Sequence, residues 1–180
     1  MEAALKAGVK KALEKALRLD QMLHAFMFTL SGVPVLYSGD EVLQENDYSY
    51  HDDPNRKEDS RYLHRGKMDW KKAKKRTSKT APEGKQFAAI RRMEEIRNEH
   101  PVFDSEGDVW LPDTANNHII AIGRYYRGEQ LLALFNFSDE RQKIWLRDEK
   151  IYTDLISGKE SDAGIIRMEG GSFRWLLHTF

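Results

Sequence analysis

The feature that most constrains the fold is a short apolar run that follows a long amphipathic helix and ends in two acidic residues. The run spans Val33 to Tyr37 within the stretch 32–41. A strand buried on both faces of a parallel sheet is apolar almost throughout, whereas a half-exposed strand alternates. The sequence therefore predicts a buried parallel strand. Asp40 and Glu41 would lie just past its carboxyl end, where α/β barrels assemble their substrate sites, although one strand alone cannot make a barrel.

Composition excludes several classes of partner. The 29 basic and 29 acidic side chains cancel, so neither nucleic acid nor an anionic membrane surface is expected to bind. Cysteine is absent, which excludes disulfides and thiolate metal sites and suits a reducing compartment. The first 20 residues form a charged helix without the apolar core of an export signal, and no apolar run approaches the roughly 18 residues that span a bilayer. We expect a soluble cytoplasmic protein.

Helical and β patterns occupy different parts of the chain. Helical spacing predicts one helix or two abutting helices from Glu2 to Leu30 and another from Pro82 to Glu99. Between them, residues 42–76 form a long irregular loop, which is usually functional or disordered at this length. After His100 we expect an antiparallel sandwich, with a hairpin turn around Gly128. Its predicted strands are 109–111, 118–127, 130–137, 142–147, 151–155, 164–168 and 173–178. The domain prediction is accordingly 1–100 and 101–180.

Five sequence motifs resemble the C-terminal part of the α-amylase family of glycoside hydrolases. They are the stretch 32–41, the element Arg65 to Trp70, the loop elements Asn46 to Tyr50 and Glu58 to Arg65, and the strand Leu132 to Ser138. The loop between the first two is most similar to amylosucrases and the related sucrose hydrolases. The resemblance implies an α+β fold: a terminal helix-strand-helix remnant of a (β/α)8 barrel, followed by the all-antiparallel β-sandwich of the α-amylase C-terminal domain. It also implies that sucrose or an α-glucan is the substrate.

The resemblance implies a retaining mechanism whose reactive groups are missing from this chain. One carboxylate attacks the anomeric carbon, and a second carboxyl group acts as acid and then as base. In the family these groups follow earlier barrel strands, so we assign no catalytic residue. Asp40 and Glu41 are neighbours in an extended segment, so their side chains point to opposite sides and cannot flank one glycosidic bond about 5 Å apart. We expect the chain alone to be inactive.

The resemblance nominates substrate-binding residues, each with a structural alternative. Arg61 matches the arginine of an Asp-Ser-Arg element that the family places toward the fructosyl side of sucrose, and its guanidinium can also pair with Asp59 or Asp53. Arg65 belongs to an Arg-x-x-Met-x-Trp element and either contacts substrate or holds the loop. The same two roles apply to the acidic pair, and the candidate binding residues are Arg61, Asp40, Glu41 and Arg65.

Other residues of the loop support weaker hypotheses. His51 with Asp52 and Asp53, or His64 alone, lacks the spacing and third ligand of a metal site, so we expect neither a metal nor another cofactor. Aromatic side chains of the loop either stack on sugar rings or form a small core of the loop itself. These are Tyr48, Tyr50 and Trp70.

Two alternatives to an inactive enzyme fragment remain. One is a non-catalytic carbohydrate-binding or assembly module, for which aromatic residues of the β region are available, although their strand positions favour the core for most. They are Trp110, Tyr125, Tyr126, Trp145 and Trp175. The other is self-association through the apolar surfaces of residues 22–30 and 33–37, which barrel strands would otherwise cover.

Overall fold

The computed structural model describes residues 1–148, 150–162 and 164–180. Contacts divide the chain into two compact units, one formed by residues 1–14 and 36–88 and the other by residues 15–35 and 89–180. The helices are α1 (Glu2–Ala7), α2 (Lys10–Thr29), α3 (Trp70–Lys74) and α4 (Pro82–Glu99). Gly8 ends α1 in the left-handed conformation, with φ of 65°. Because glycine adopts this conformation without strain, the predicted N-terminal helix is two abutting helices.

The first unit contains the long loop, which is ordered by short 3-10 turns. These turns span Asp40–Val42, Tyr48–Asp52, Ser60–His64 and Lys75–Thr77. Asp47 and Asp59 each accept a hydrogen bond from the backbone N–H two residues later, and Asp69 caps α3 in the same way. Aspartate at such positions satisfies amide groups that the turn leaves free. Tyr50 is buried, whereas Trp70 is 72% exposed.

The second unit contains all eight strands that the described residues form. They are β1 (Asp108–Trp110), β2 (Ile119–Tyr126), β3 (Glu129–Asn136), β4 (Gln142–Trp145), β5 (Ile151–Asp154), β6 (Glu160–Asp162), β7 (Ile165–Met168) and β8 (Phe173–Thr179). Six form one sheet in the order β1-β2-β3-β8-β5-β6, and β4 pairs with β7 in a second sheet. Every pairing is antiparallel. Seven strands match the predicted runs, and β6 was not predicted because its three polar residues carry no apolar pattern.

The turn between β2 and β3 forms as expected. Arg127 and Gly128 both have positive φ, at 45° and 84°. Positive φ at both central residues is typical of the tight turn whose twist matches that of two antiparallel strands. The turn therefore fixes the register in which Tyr126 lies opposite Glu129.

Strand β3 lies between two apolar cores. Leu131, Ala133 and Phe135 belong to a core that also contains residues of α2, α4 and β8. Leu132 and Leu134 belong to a second core, formed with residues of β4 and β7. Because both faces of β3 are covered, this strand has no alternation of polar and apolar residues. The six-stranded sheet therefore has helices on one face and the small second sheet on the other.

The α+β fold class is confirmed, with one correction. Residues 33–37 do not form the predicted buried strand. Val33 is 88% exposed and Val35 is 79% exposed. A strand exists only when a neighbour accepts and donates its backbone hydrogen bonds, and the described part of the chain places no parallel strand beside this segment. An apolar run therefore forms a strand only where neighbouring strands share its backbone hydrogen bonds.

Candidate functional site

Two segments of the long loop are joined side by side in the first unit. The backbone N–H of Asp47 donates to the carbonyl of Leu63 at 2.8 Å. The phenol of Tyr37 donates to the carbonyl of His64 at 2.9 Å. The His64 ring contacts Asn46, with 3.1 Å between Nδ1 and Oδ1. These bonds place residues 37–47 next to residues 63–69.

Gln44 connects the same two segments through its side chain. Its backbone N–H donates to the carbonyl of Gly39 at 2.9 Å. Its Oε1 accepts from the N–H of Asp69 at 3.3 Å, and its Nε2 donates to the carbonyl of Gly66 at 3.4 Å. A side chain at Gly66 would not fit, because its Cβ would lie 2.7 Å from Cβ of Asp47. The glycine therefore permits the close approach of the two segments.

A small cavity lies where the segments meet. It has a volume of about 270 Å³ and is lined by Tyr37, Ser38, Gln44, His64, Arg65, Gly66 and Met68. The Arg65 guanidinium lies 5.9 Å from the ring centroid of Tyr62 and makes no hydrogen bond within the described part of the chain. It therefore has donors available for a ligand. Small-molecule sites usually occupy about 300–1,000 Å³, so this cavity is large enough for one part of a ligand only.

Arg61 forms the ion pair that was one of its two predicted roles. Its Nε donates to Oδ1 of Asp59 at 2.8 Å and its Nη2 donates to Oδ2 at 2.7 Å. These hydrogen bonds hold the pKa of the Asp59 carboxyl at about 2, well below its ordinary value. The Arg61 side chain is 70% exposed. Asp59 thus orients the guanidinium and leaves Nη1 for a further acceptor.

The predicted acidic pair lies outside the cavity. Asp40 is exposed and begins the first 3-10 turn of the loop. Glu41 is half-buried, and its Oε2 accepts a hydrogen bond from the backbone N–H of Gly39 at 2.8 Å. Of the four predicted binding residues, the structure places only Arg65 in the cavity lining. Substrate contact by any of the four stays a prediction.

Sequence reasoning missed most of the cavity lining. Ser38 lies two residues before Asp40, so the argument that predicts a site at the end of the apolar run also applies to Ser38. His64 was considered only as a metal ligand, and within the described ranges no group of three or more His, Cys, Asp or Glu side chains lies together. Gln44 gave no signal, since an isolated glutamine in a polar loop has no distinctive spacing.

None of the helices in the described ranges is both long enough and apolar enough to cross a bilayer.

No family model matches the sequence. Several solved structures do match the fold. An α-amylase from Anoxybacillus is 18% identical, with a TM-score of 0.66 over 91% of this chain and 32% of its own. A variant of AmyP in complex with maltotriose is 14% identical, with a TM-score of 0.70 over 90% of this chain and 35% of its own. A maltogenic amylase from S. marinus is 20% identical, with a TM-score of 0.61 over 88% of this chain and 19% of its own.

The chain spans about a third of the first two of these proteins and about a fifth of the third. At identities this low, the likeness concerns the fold alone. It covers nearly the whole of this chain and agrees with the antiparallel sheets described above. The chain has an α+β fold that matches part of these amylases, and its antiparallel region matches their C-terminal β-sandwich domain.

Proposed function

We propose that this chain is the C-terminal part of an α-amylase-family enzyme that acts on sucrose or an α-glucan in the manner of an amylosucrase. Residues 1–100 then belong to the catalytic barrel and residues 101–180 to the β domain. The catalytic carboxylates belong to an upstream part of the enzyme, so the chain alone is inactive. The absence of cysteine fits a cytoplasmic enzyme.

The observation that carries this proposal is the unequal coverage of the fold matches. They extend over about nine-tenths of this chain but only about a third of the Anoxybacillus amylase and of AmyP. Structures of AmyP hold maltose or maltotriose, which supports a sugar as the substrate of the complete enzyme. The elements Asn46 to Tyr50 and Glu58 to Arg65 support sucrose in particular, through their resemblance to amylosucrases.

The exposed segment 33–37 supports the same proposal. Four of its five side chains are apolar or aromatic and exposed, with Tyr37 at 51%. Exposed apolar patches of this kind mark surfaces that other elements cover. We assign this role to neighbouring barrel strands of the complete enzyme. In the isolated chain, a second copy is the alternative cover, and sedimentation velocity at several concentrations distinguishes a monomer from a self-associating chain.

The four candidate residues receive roles that follow from their contacts. Arg61, oriented by Asp59, presents Nη1 to a fructosyl hydroxyl. Arg65 donates into the small cavity. Glu41 fixes the turn at Gly39, and Asp40, at the start of that turn, lies at the rim of the substrate site. A guanidinium suits this task because its planar donors match pairs of sugar hydroxyls.

The test compares the chain alone with an enzyme extended upstream in the same reading frame. We expect the extended enzyme to release fructose from sucrose and the 180-residue chain to release none. In the extended enzyme, Arg61→Ala should lower kcat/KM for sucrose about tenfold or more, because a directed hydrogen bond to substrate is lost. Arg56→Ala is the matched control, since Arg56 is a half-exposed arginine of the same loop that pairs with Asp53.

Two results would overturn the proposal. Fructose release by the isolated chain at an enzymatic rate would show that its own residues are catalytic. Equal kcat/KM for the Arg61 and Arg56 variants would remove Arg61 from the substrate site.

A further inference from the structure

The second unit carries a groove that the proposed function does not use. Its volume is about 750 Å³, within the usual range for small-molecule sites. The floor consists of aliphatic side chains that also face the second core, namely Ala121, Leu132, Leu134 and Ile144. Two tryptophans, Trp110 and Trp145, line it as well. The groove therefore combines an apolar floor with exposed indole rings.

Trp110 rests directly on a glycine of the neighbouring strand. It lies opposite Gly123 in the register of β1 and β2. A Cβ at Gly123 would lie 2.1 Å from Cε2, 2.5 Å from Cζ2 and 2.6 Å from Nε1 of the indole. These atoms belong to the five-membered and six-membered rings of the Trp110 indole, so one face of this indole packs on the backbone of Gly123. Trp110 is still 40% exposed, which leaves surface for a ligand.

Trp145 is the second aromatic surface of the groove. It ends β4 opposite Ile165 and is 67% exposed. The Arg147 guanidinium lies 5.6 Å from its ring centroid. The exposed surface of this indole is therefore available for stacking on a ligand in the groove.

The charged side chains along the groove balance one another. The described lining contains two acidic and two basic residues, namely Asp113, Asp148, Lys143 and Arg147. Such a lining gives no net attraction to an anion or a cation. The carboxylate of Asp148 is held in place, because the Tyr152 phenol donates to its Oδ2 at 2.6 Å. Fixed polar groups beside aromatic faces suit a neutral ligand that has both hydroxyl groups and apolar ring faces.

We propose that this groove binds a neutral oligosaccharide, an α-1,4-glucan segment that stacks on Trp110 and Trp145. The polar side chains at the rim then hydrogen-bond its hydroxyl groups. Only the choice of the α-1,4 linkage rests on the proposed function. The binding itself rests on the groove and is independent of any catalytic activity.

The test measures binding of maltoheptaose to the 180-residue chain by isothermal titration calorimetry. We expect saturable binding, weakened about tenfold by Trp145→Ala, since a stacked aromatic contact contributes on the order of one decade of affinity. Trp110→Ala should act in the same direction. Phe180→Ala is the matched control, because Phe180 is an aromatic side chain that is 71% exposed and is not among the residues that line the groove. Its affinity should stay within about twofold of the wild type.

Gly123→Ala gives a second variant that removes no ligand-binding atom. The added methyl group collides with the indole of Trp110 and displaces it, so maltoheptaose affinity should fall while Trp145 remains intact. Circular dichroism and thermal unfolding of each variant verify the fold. If Trp110→Ala and Gly123→Ala unfold the protein, Trp145→Ala still tests the proposal, because Trp145 is mostly exposed and its loss should leave the fold intact.

Three outcomes would overturn the proposal. The first is absence of saturable binding to the folded chain, and the second is equal affinity of the Trp145→Ala and Phe180→Ala variants. The third is binding of an apolar dye in the groove that maltoheptaose does not displace, which would identify an apolar occupant. Fructose release by the extended enzyme is a separate measurement, so failure of the groove and failure of the proposed function are distinguishable.

Discussion

The indole N–H of Trp175 donates a hydrogen bond to the hydroxyl of Thr29 at 2.9 Å, and both residues are fully buried. Thr29 in turn donates from the same hydroxyl to the carbonyl of Ala25 at 2.8 Å. A buried indole requires a partner for its N–H. The last turn of α2 supplies it, and the pair joins this helix to β8 in the centre of the first core.

Replacing Thr29 by valine should therefore destabilise the protein. Valine keeps the shape of threonine but leaves the Trp175 N–H buried without an acceptor, which costs about 1–3 kcal/mol. Urea unfolding measures the change, and Thr77→Val, at an exposed position, is the control. If the pair is responsible, Trp175→Phe combined with Thr29→Val should cost less than the two single changes added together. Simple additivity would contradict this explanation.

Arg124 makes a second connection to the end of α2. It is a fully buried arginine that donates to the carbonyls of Thr29, Val102 and Asp104. Burial lowers its pKa, since desolvation disfavours the charged form. Arg97 donates to the carbonyls of Phe28 and Gly32 nearby. Positive charge and donors at a helix C-terminus satisfy its free carbonyl groups and complement the helix dipole.

Arg124→Met should be one of the most destabilising single changes in the second unit. Methionine fills similar space but leaves the carbonyl groups of two buried residues, Thr29 and Val102, without this donor, so we expect a loss of about 3 kcal/mol or more in the free energy of unfolding. Arg91→Met is the comparison, because Arg91 is exposed and pairs only within α4. A loss for Arg124→Met no larger than that for Arg91→Met would show that water replaces the guanidinium at no cost.

The sequence predicts the second unit better than the first, and the reason is physical. Hairpin turns and apolar runs are local signals, so Gly128 and the β3 run could be read directly. Arg124 could not, because an arginine in a strand reads as exposed and its carbonyl partners lie up to 95 positions away. The prediction of a strand at residues 33–37 was wrong for the opposite reason. The apolar pattern of these residues is strong, but the strand it predicts depends on neighbours that the described residues do not supply.

In the candidate site, too, local contacts could be predicted from the sequence, whereas contacts between distant residues could not. The Asp59 and Arg61 pair is local and was one of two roles predicted for Arg61. The cavity between residues 37–47 and 63–69 depends on contacts across the loop. The backbone hydrogen bond from Asp47 to Leu63 and the side-chain hydrogen bonds of Gln44 hold this cavity together. Neither Asp47 nor Gln44 lies in a sequence pattern that indicates such contacts.

The Asp59 and Arg61 pair predicts a specific pH dependence. The folded pKa of Asp59 is lowered to about 2 from 3.8, so the pair contributes to loop order fully above pH 3.8 and loses this contribution as pH falls through 2. Arg61→Gln should raise the pKa of Asp59 toward its ordinary value. Carbon-detected NMR of the carboxyl group measures both titrations. An unchanged midpoint for Asp59 would contradict the pairing.

Gly66→Ala should loosen the loop without unfolding the second unit. The new Cβ would lie 2.7 Å from Cβ of Asp47, so the two segments must separate and the bond from the Asp47 N–H to the Leu63 carbonyl must weaken. Hydrogen exchange of the Asp47 amide measures this opening, and it should become at least about tenfold faster, since a strained contact costs about 1 kcal/mol or more. Lys67→Ala, at the adjacent exposed position, is the control. Unchanged exchange at Asp47 in the Gly66 variant would show that the segments move apart freely and that the cavity between them is not a fixed site.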